Sequence, residues 1–358
     1  MKMIKRIAAL VMVAVLTLSL AGCLHKKNEI AVTIGNMEFT SAYYMCALVN
    51  ANMEAKQKVN EMLTADEQKE DINYFSKKID KKSYVDWVED RAIEILKEIA
   101  SYKQLCEKNK VKLSEDLKAE AEQTVVTLWD YYGYSAYYEP NGISRDTYAK
   151  FTEDNSYNEA YFLSIYGKDG TKAISEDKVT KEINDNYVLL DKISMTFDAN
   201  ADDAKKAETK ATLDDYANQI KSGKKTFIEI YKAHNDIKEE TTTEETEDLK
   251  PVNTYASISG AEGTSFEDEN FKTYKGYEVD AVQVVENSAK DGYDLIIRRD
   301  ITADAYFIDY LDSFARHAIA DEEYVEEIEK NTKNLDAKID SYAVGQFKVK
   351  KIVEPEVQ

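Results

Sequence analysis

Hydrophobic and polar positions change period several times along the chain, and the changes mark its parts. Lys2, Lys5 and Arg6 precede an apolar run from Ile7 to Leu20. That run is too short for a transmembrane helix, which needs about 20 apolar residues, and with its basic start it reads as a secretory signal. Ile30 to Ile34 alternates as a strand, Gly35-Asn36 is a turn signal, and Met37 to Phe39 is a second short strand. Thr40 or Ser41 then caps a helix to about Met62, because a side-chain oxygen there can accept from a first-turn N–H. A polar helical stretch is expected next. Ser83 caps a helix in which Trp87, Ile93, Ile95, Leu96, Ile99 and Leu105 recur at mixed three- and four-residue steps. Ser114 opens another toward Trp129, with Glu115 and Asp116 suited to the positive end of the helix dipole. Tyr131, Tyr132, Tyr134, Tyr137 and Tyr138 read as an aromatic loop, and Ser144 starts a further helical piece.

Ser175-Glu176-Asp177 opens one more short helix, after which the period shifts toward two. Tyr187 to Phe197 reads as a strand, Ala204 to Lys221 as a helix ended by Ser222-Gly223, and Phe227 to Ala233 as a second helix. Glu239 to Asp248 is a Thr/Glu-rich acidic run expected to be a solvated loop. Val279 to Val285 and Tyr293 to Arg298 read as strands joined by a turn at Asp291-Gly292. This makes an α+β unit. Beyond it, Ala305 to His317 and Asp321 to Lys333 are expected as helices, and Phe347 to Ile352 as a closing strand or extended tail.

Composition narrows the chemistry. At 358 residues and 43% hydrophobic, the chain has material for more than one core. Twelve Gly and three Pro exclude collagen-like and Pro-rich architectures and disfavour a turn-dense all-β protein. Forty-seven basic against 68 acidic residues give a net charge of −21. No nucleic-acid partner is expected, because phosphate contacts need a positive footprint. Three His and three Cys cannot build a rich metal cluster, and the Cys spacing fits no zinc pattern. Neither a metal nor a cofactor is expected.

Leu20-Ala21-Gly22-Cys23 looks like a bacterial lipobox. Cleavage before Cys23 would remove residues 1–22 and free the thiol for diacylglyceryl attachment, leaving residues 23–29 as a lipidated tether. An ordinary signal peptide with an incidental Cys23 is the alternative. The expected location is the extracytoplasmic face of the cell membrane, where ATP-driven chemistry is improbable. The anionic body would be repelled from anionic lipid; its charge either favours cationic, unfolded or partly folded secreted proteins as partners or is a solvated acidic surface with no recognition role. Cys46 and Cys106 sit among apolar neighbours; they read as buried small hydrophobes, with a disulfide open in an oxidising compartment.

The opening Ala31-Val32-Thr33-Ile34-Gly35-Asn36-Met37-Glu38-Phe39 and the Tyr43-Tyr44 helix, with the lipobox, resemble the start of SurA-type and PrsA-type extracytoplasmic chaperones. The central α+β unit looks like a parvulin domain, their rotamase module. Asp191-Lys192-Ile193-Ser194-Met195-Thr196-Phe197 stands where the family has approximately K-H-I-L-I-x-F. The G-x-x-F-x-x-x-A stretch is matched around Gly223, Phe227 and Ala233. F-E-x-A-A-F appears as Phe266-Glu267-Asp268-Glu269-Asn270-Phe271, and G-Y-H-I-I as Gly292-Tyr293-Asp294-Leu295-Ile296-Ile297. The resemblance implies an α+β, mostly helical fold. A helical chaperone lobe (30–182) would be completed by C-terminal helices (301–358), with a divergent parvulin-like domain (183–300) inserted between. It also implies contacts between residues 301–345 and 30–110.

The departures bear on activity. Parvulins place two His in the cleft; the matching positions are Lys192 and Asp294. The Gly-Gly-Asp-Leu-Gly turn is replaced by the acidic run, and Glu262 stands where a Met is expected. Rotating an X-Pro amide means crossing about 20 kcal/mol of resonance, and a site lowers that barrier by binding the twisted amide best. Phe197, Phe266, Phe271 and Leu295 are the candidate apolar wall of such a cleft. Lys192 and Asp294 would form an ion pair on adjacent strands or face solvent. The expectation is a membrane-anchored foldase-type chaperone with isomerase activity weak or lost. An active parvulin-type isomerase and a solute-binding lipoprotein are the alternatives. Oligomeric state is left open, a dimer included. Gly167 to Lys172 lacks phosphate-loop spacing, and His234, His317 and Asp214-Asp215 read as surface helix positions.

Overall fold

The computed structural model describes residues 28–355, apart from 65, 70–71, 199, 237–255, 261–268 and 288. Cys23, Phe266 and the acidic run therefore lie outside the described residues. The fold is α+β and mostly helical, as expected, with three small sheets. Contacts divide the chain into two compact units. One takes residues up to Ala173 together with Ala320 onward; the other is Ile174–Ile319. Positions 183 and 300 both fall inside the second unit.

The first unit begins with β1 (Ile30–Ile34) and β2 (Met37–Thr40), paired antiparallel through the register Ile34↔Met37. Gly35 allows that tight turn with φ +61°. The Thr40 hydroxyl accepts from the Tyr43 N–H and starts α1 (Ser41–Glu61). Helix α1 lays Ala47, Leu48, Ala51, Ala55 and Val59 into a core shared with Val88, Ala92, Leu96 and Ile99 of α2 (Tyr84–Asn109). Small residues on that face permit close helix packing. The polar stretch between the two helices is not helical. It forms 3-10 turns at Glu67–Lys69 and Tyr74–Ser76 and a two-residue ladder, β3 (Lys78–Ile79) with β4 (Lys82–Ser83). Asp80 and Lys81 both take positive φ, the geometry a two-residue hairpin needs. Asp80 also accepts from the Trp87 indole at 3.2 Å.

Ser114 caps α3 (Glu115–Val125), which continues into a π-helical turn, Val126–Tyr131. The aromatic tract beyond it is folded rather than a loop. Ser135–Tyr138 makes one helical turn, and Tyr138 packs on Trp129 and Tyr148 with centroids 6.0 and 4.7 Å away. Ser144 caps α4 (Arg145–Asn155), followed by α5 (Tyr157–Tyr166). Buried Asp154 is fully engaged: Tyr43 Oη donates at 3.0 Å, Lys103 Nζ at 2.5 Å and Lys150 Nζ at 2.7 Å. A carboxylate removed from water needs such partners. Cys46 and Cys106 are free thiols; burial pushes the Cys106 pKa up to about 11. Burial also raises that of Cys46 well above the ordinary thiol value.

The C-terminal residues complete this unit. Tyr324 Oη donates to Asn158 Oδ1 at 2.7 Å, and Asn331 Nδ2 to Ser101 Oγ at 2.8 Å. Strand β9 (Ala337–Ile339) pairs antiparallel with β1, Val32 facing Ile339, giving the order β2-β1-β9. Phe347 to Ile352 is not the closing strand, since its centre is a 3-10 turn, Val349–Lys351. The tail is instead fastened by side chains. Val353 exchanges two hydrogen bonds with the Asn141 amide, and Glu354 accepts from Asn52.

In the second unit, α6 (Glu176–Asn186) runs straight into β5 (Tyr187–Thr196). Helix α7 (Asp203–Lys221) and α8 (Phe227–His234) follow, the latter started by a Thr226/Glu229 capping box. Two elements not legible in the sequence come next, β6 (Ala256–Gly260) and α9 (Glu269–Lys275). With β7 (Val282–Glu286) and β8 (Gly292–Arg299) they complete an antiparallel sheet of order β6-β5-β8-β7. A Cβ at Gly292 would run into the Met195 carbonyl, so β8 must begin with glycine. The two helices expected after this sheet are one, α10 (Ala305–Lys333). Ala318-Ile319-Ala320 contains no breaker, so nothing interrupts it. Among the described residues no helix is long and apolar enough to cross a membrane.

Candidate functional site

The candidate residues sit on the four-stranded sheet, and strand alternation decides where each one goes. On one face, Ile193 of β5 and Leu295 and Ile297 of β8 pack beneath Leu213 and Ala217 of α7 and Phe227 and Ile230 of α8. On the other, Val188, Leu190 and Ile296 pack with Tyr274 of α9, Phe271 lying at the edge of that cluster.

Lys192 and Asp294 belong to the second face. Ser194 lies directly opposite Asp294, so Lys192 is its diagonal neighbour on the adjacent strand. Diagonal neighbours on one face are within reach of a long side chain. Lys192 Nζ lies 3.2 Å from Asp294 Oδ2, with Asp294 only 2% exposed. The ion pair anticipated from the sequence is present. It places an ammonium and a carboxylate in fixed positions where the resemblance implies two imidazoles. Neither a lysine ammonium nor an ionised carboxylate reproduces a neutral imidazole, which donates at one nitrogen and accepts at the other.

The four apolar candidates do not converge. Leu295 is fully buried under α7 and α8, on the face away from Lys192 and Asp294. Phe271 is on the opposite face, half-buried. Phe197 lies at the end of β5, against Tyr293 at 6.1 Å and with Lys206 Nζ 5.5 Å above its ring. Phe266 is outside the described residues. The expectation of one wall built from Phe197, Phe271 and Leu295 is thus corrected. Positions 193 and 295 share a face, while 192 and 294 share the other, because the side-chain period is two.

Two further charge clusters brace the same sheet. Arg299 donates to Asp191 Oδ2 and Asp280 Oδ1 at 2.7 and 2.5 Å, and burial raises the Asp191 pKa even though Arg299 works against it. Arg298 donates to the carbonyls of Lys275 and Tyr277, both at 2.7 Å, satisfying the C-terminal end of α9. Lys275 reaches the Asn184 carbonyl, and burial lowers its pKa. Sequence reasoning missed these braces; Arg298-Arg299 at the end of a strand was their only signal. Among the described residues no group of three or more His, Cys, Asp or Glu could hold a metal ion.

No protein-family model matches the sequence, and no curated protein matches it. Among solved structures, the chain is similar to foldase protein PrsA from Lactococcus lactis, at 13% identity over 89% of this chain and 99% of that one, with a TM-score of 0.35. It is also similar to foldase protein PrsA from Streptococcus pneumoniae, at 14% identity over 72% of this chain and 88% of that one, with a TM-score of 0.31.

Proposed function

We propose that the chain is a lipid-anchored extracytoplasmic foldase-type chaperone whose parvulin-like unit has weak isomerase activity or none. The observation that carries the reading is the Lys192–Asp294 ion pair at the positions matched to the family histidines. An isomerase cleft needs an apolar socket for the proline ring beside a tuned polar wall. Here the polar wall is an ion pair, and Leu295 faces away from it. The unit between the two segments of the helical lobe serves in this reading as a client-binding surface rather than a catalyst.

Exchange NMR on an Ala-X-Pro peptide series tests the isomerase reading. The expected result is peptide broadening on binding, with no acceleration of cis/trans exchange at catalytic protein concentration. Acceleration that survives substitution of both Lys192 and Asp294 would overturn it. Anchoring is tested separately: Cys23→Ala should abolish incorporation of labelled fatty acid and release the protein from the membrane fraction. A solute-binding lipoprotein would need two similar α/β lobes. The two units are not similar lobes: the first holds a three-stranded sheet and a two-residue ladder among its helices, the second a four-stranded antiparallel sheet.

A further inference from the structure

Within the second unit, α10 presents two apolar faces. Phe307 and Leu311 point inward, each 3% exposed. Tyr306, Tyr310 and Phe314 recur every four residues on another face and are 44%, 55% and 57% exposed. Residues four apart on a helix stack one above another. Tyr306 and Tyr310 lie with centroids 6.2 Å apart and planes 5° from parallel, and Phe314 continues the row 6.1 Å beyond Tyr310. Three large rings in a row toward solvent form a contiguous apolar strip, the kind of surface that marks an interaction site.

The strip stands on a rigid base. Arg316, fully buried, donates to both Asp312 oxygens at 2.8 and 2.9 Å, to the Ile174 carbonyl at 2.8 Å and to Glu176 at 2.5 Å. Helix α10 is thereby tied to the start of α6. Just past the far end of α6, burial raises the Tyr187 hydroxyl pKa, helped by the Glu182 carboxylate and the Tyr310 phenol. Glu182, which also accepts from Asn186, and Tyr310 both lie close enough to Tyr187 to act on it, and exposed Asp309 is the chain neighbour of Tyr310, so carboxylates border the strip.

We propose that the Tyr306–Tyr310–Phe314 ladder, with Glu182 and Asp309 at its margin, docks an extended cationic-apolar segment of an unfolded protein. Arg and Lys stems lie along aromatic rings, their charged heads sit over ring faces, and the carboxylates complete the match. The apolar side chains of the segment cover the remaining ring area. A second copy of this chain is a poorer occupant, because a two-fold contact through the ladder would bring Glu182 and Asp309 toward their own copies. The assignment deepens the chaperone reading by naming a surface and a client chemistry.

Fluorescence anisotropy on the full chain tests it, using an unstructured labelled peptide of alternating Arg, Leu and Ser and its Glu-for-Arg counterpart. The Arg peptide should bind about tenfold more tightly than the Glu peptide, and Y310A/F314A should weaken it about tenfold. E182Q/D309N should flatten the salt dependence, and Tyr310→Lys, a single exposed change, should weaken binding by repulsion. Equal binding of the two peptides, or parental binding by Y310A/F314A, overturns the proposal. So does light scattering that shows a dimer dispersed by Y310A/F314A, which would make a second copy the occupant. Aggregation of a reduced, unfolding protein separates the two readings. A parent that neither binds peptide nor suppresses aggregation fails both. A Y310A/F314A variant that suppresses aggregation as well as the parent leaves the chaperone reading standing and removes the ladder.

Discussion

Two aromatic clusters, one in each unit, use their side chains in opposite ways. In the first, Trp129, Tyr138 and Tyr148 close on one another and none is more than 5% exposed. In the second, Tyr306, Tyr310 and Phe314 form a row of successive ring contacts, and each residue is about half exposed. Ring-to-ring spacing is similar in the two places; what differs is what lies on the outer side. The first cluster belongs to the core that α1 helps build, while no described residue covers the second row to a comparable degree. With 25 Tyr in the chain, richness in aromatics therefore says little about binding. Position relative to the covering element says much more.

The sharpest way to break this contrast is truncation. Trp129→Ala or Tyr138→Ala should cost about 3–5 kcal/mol of stability in urea unfolding, because each leaves a cavity in a packed core. A cost under 1 kcal/mol would mean that the cluster is loosely packed and not a core.

The sheet of the second unit offers the next test. Lys192→Met leaves Asp294 buried without its cation and should cost about 1–3 kcal/mol. The double variant K192M/D294L should recover most of that loss, since an apolar pair on this face continues the cluster of Leu190, Ile296 and Tyr274. Failure of the double variant to recover would show that the pair does more than satisfy itself.

The buried phenols of the first unit predict an alkaline response of comparable or smaller size. Burial is the largest cause raising the pKa values of Tyr43, Tyr138 and Tyr324 above the ordinary 10.0. The folded state keeps these protons where the unfolded chain releases them. Their contribution is complete below about pH 10 and is lost as pH rises beyond it. Urea midpoints should fall from about pH 10 upward. Tyr43→Phe should reduce that fall, while costing about 1.5–3 kcal/mol near neutrality through the lost bond to Asp154. A midpoint independent of alkaline pH would contradict the burial of these groups.

The smallest stability effect belongs to the exposed row. Tyr310→Ala should change stability by no more than about 0.5 kcal/mol. A larger loss would show that the row is structural, and the contrast between the units would collapse.

Much of the local structure was legible. Thr40, Ser83, Ser114 and Ser144 each cap the helix that follows, because a cap is a contact over three residues and needs no distant partner. Strand β5, and strands β7 and β8 with their turn at Asp291-Gly292, were legible from alternation and a glycine. The Lys192–Asp294 pair was anticipated only through the resemblance, as one of two alternatives, and strand register is what brings the two side chains to one face. The apolar cleft was not legible: Leu295 is one position from Asp294, and that single step carries it to the other face.

The sequence by itself determined where the side-chain-capped helices and strands β1, β2 and β5 begin, and that the body carries a strong negative charge. These follow from neighbours in the chain or from counting. Only the tertiary structure decided that the closing strand is β9 rather than Phe347 to Ile352, and that Asp154 collects Tyr43, Lys103 and Lys150. It alone showed that Tyr138 is hidden while Tyr310 is not. Burial depends on which element, distant in sequence, covers a face, and no local pattern of residues contains that information.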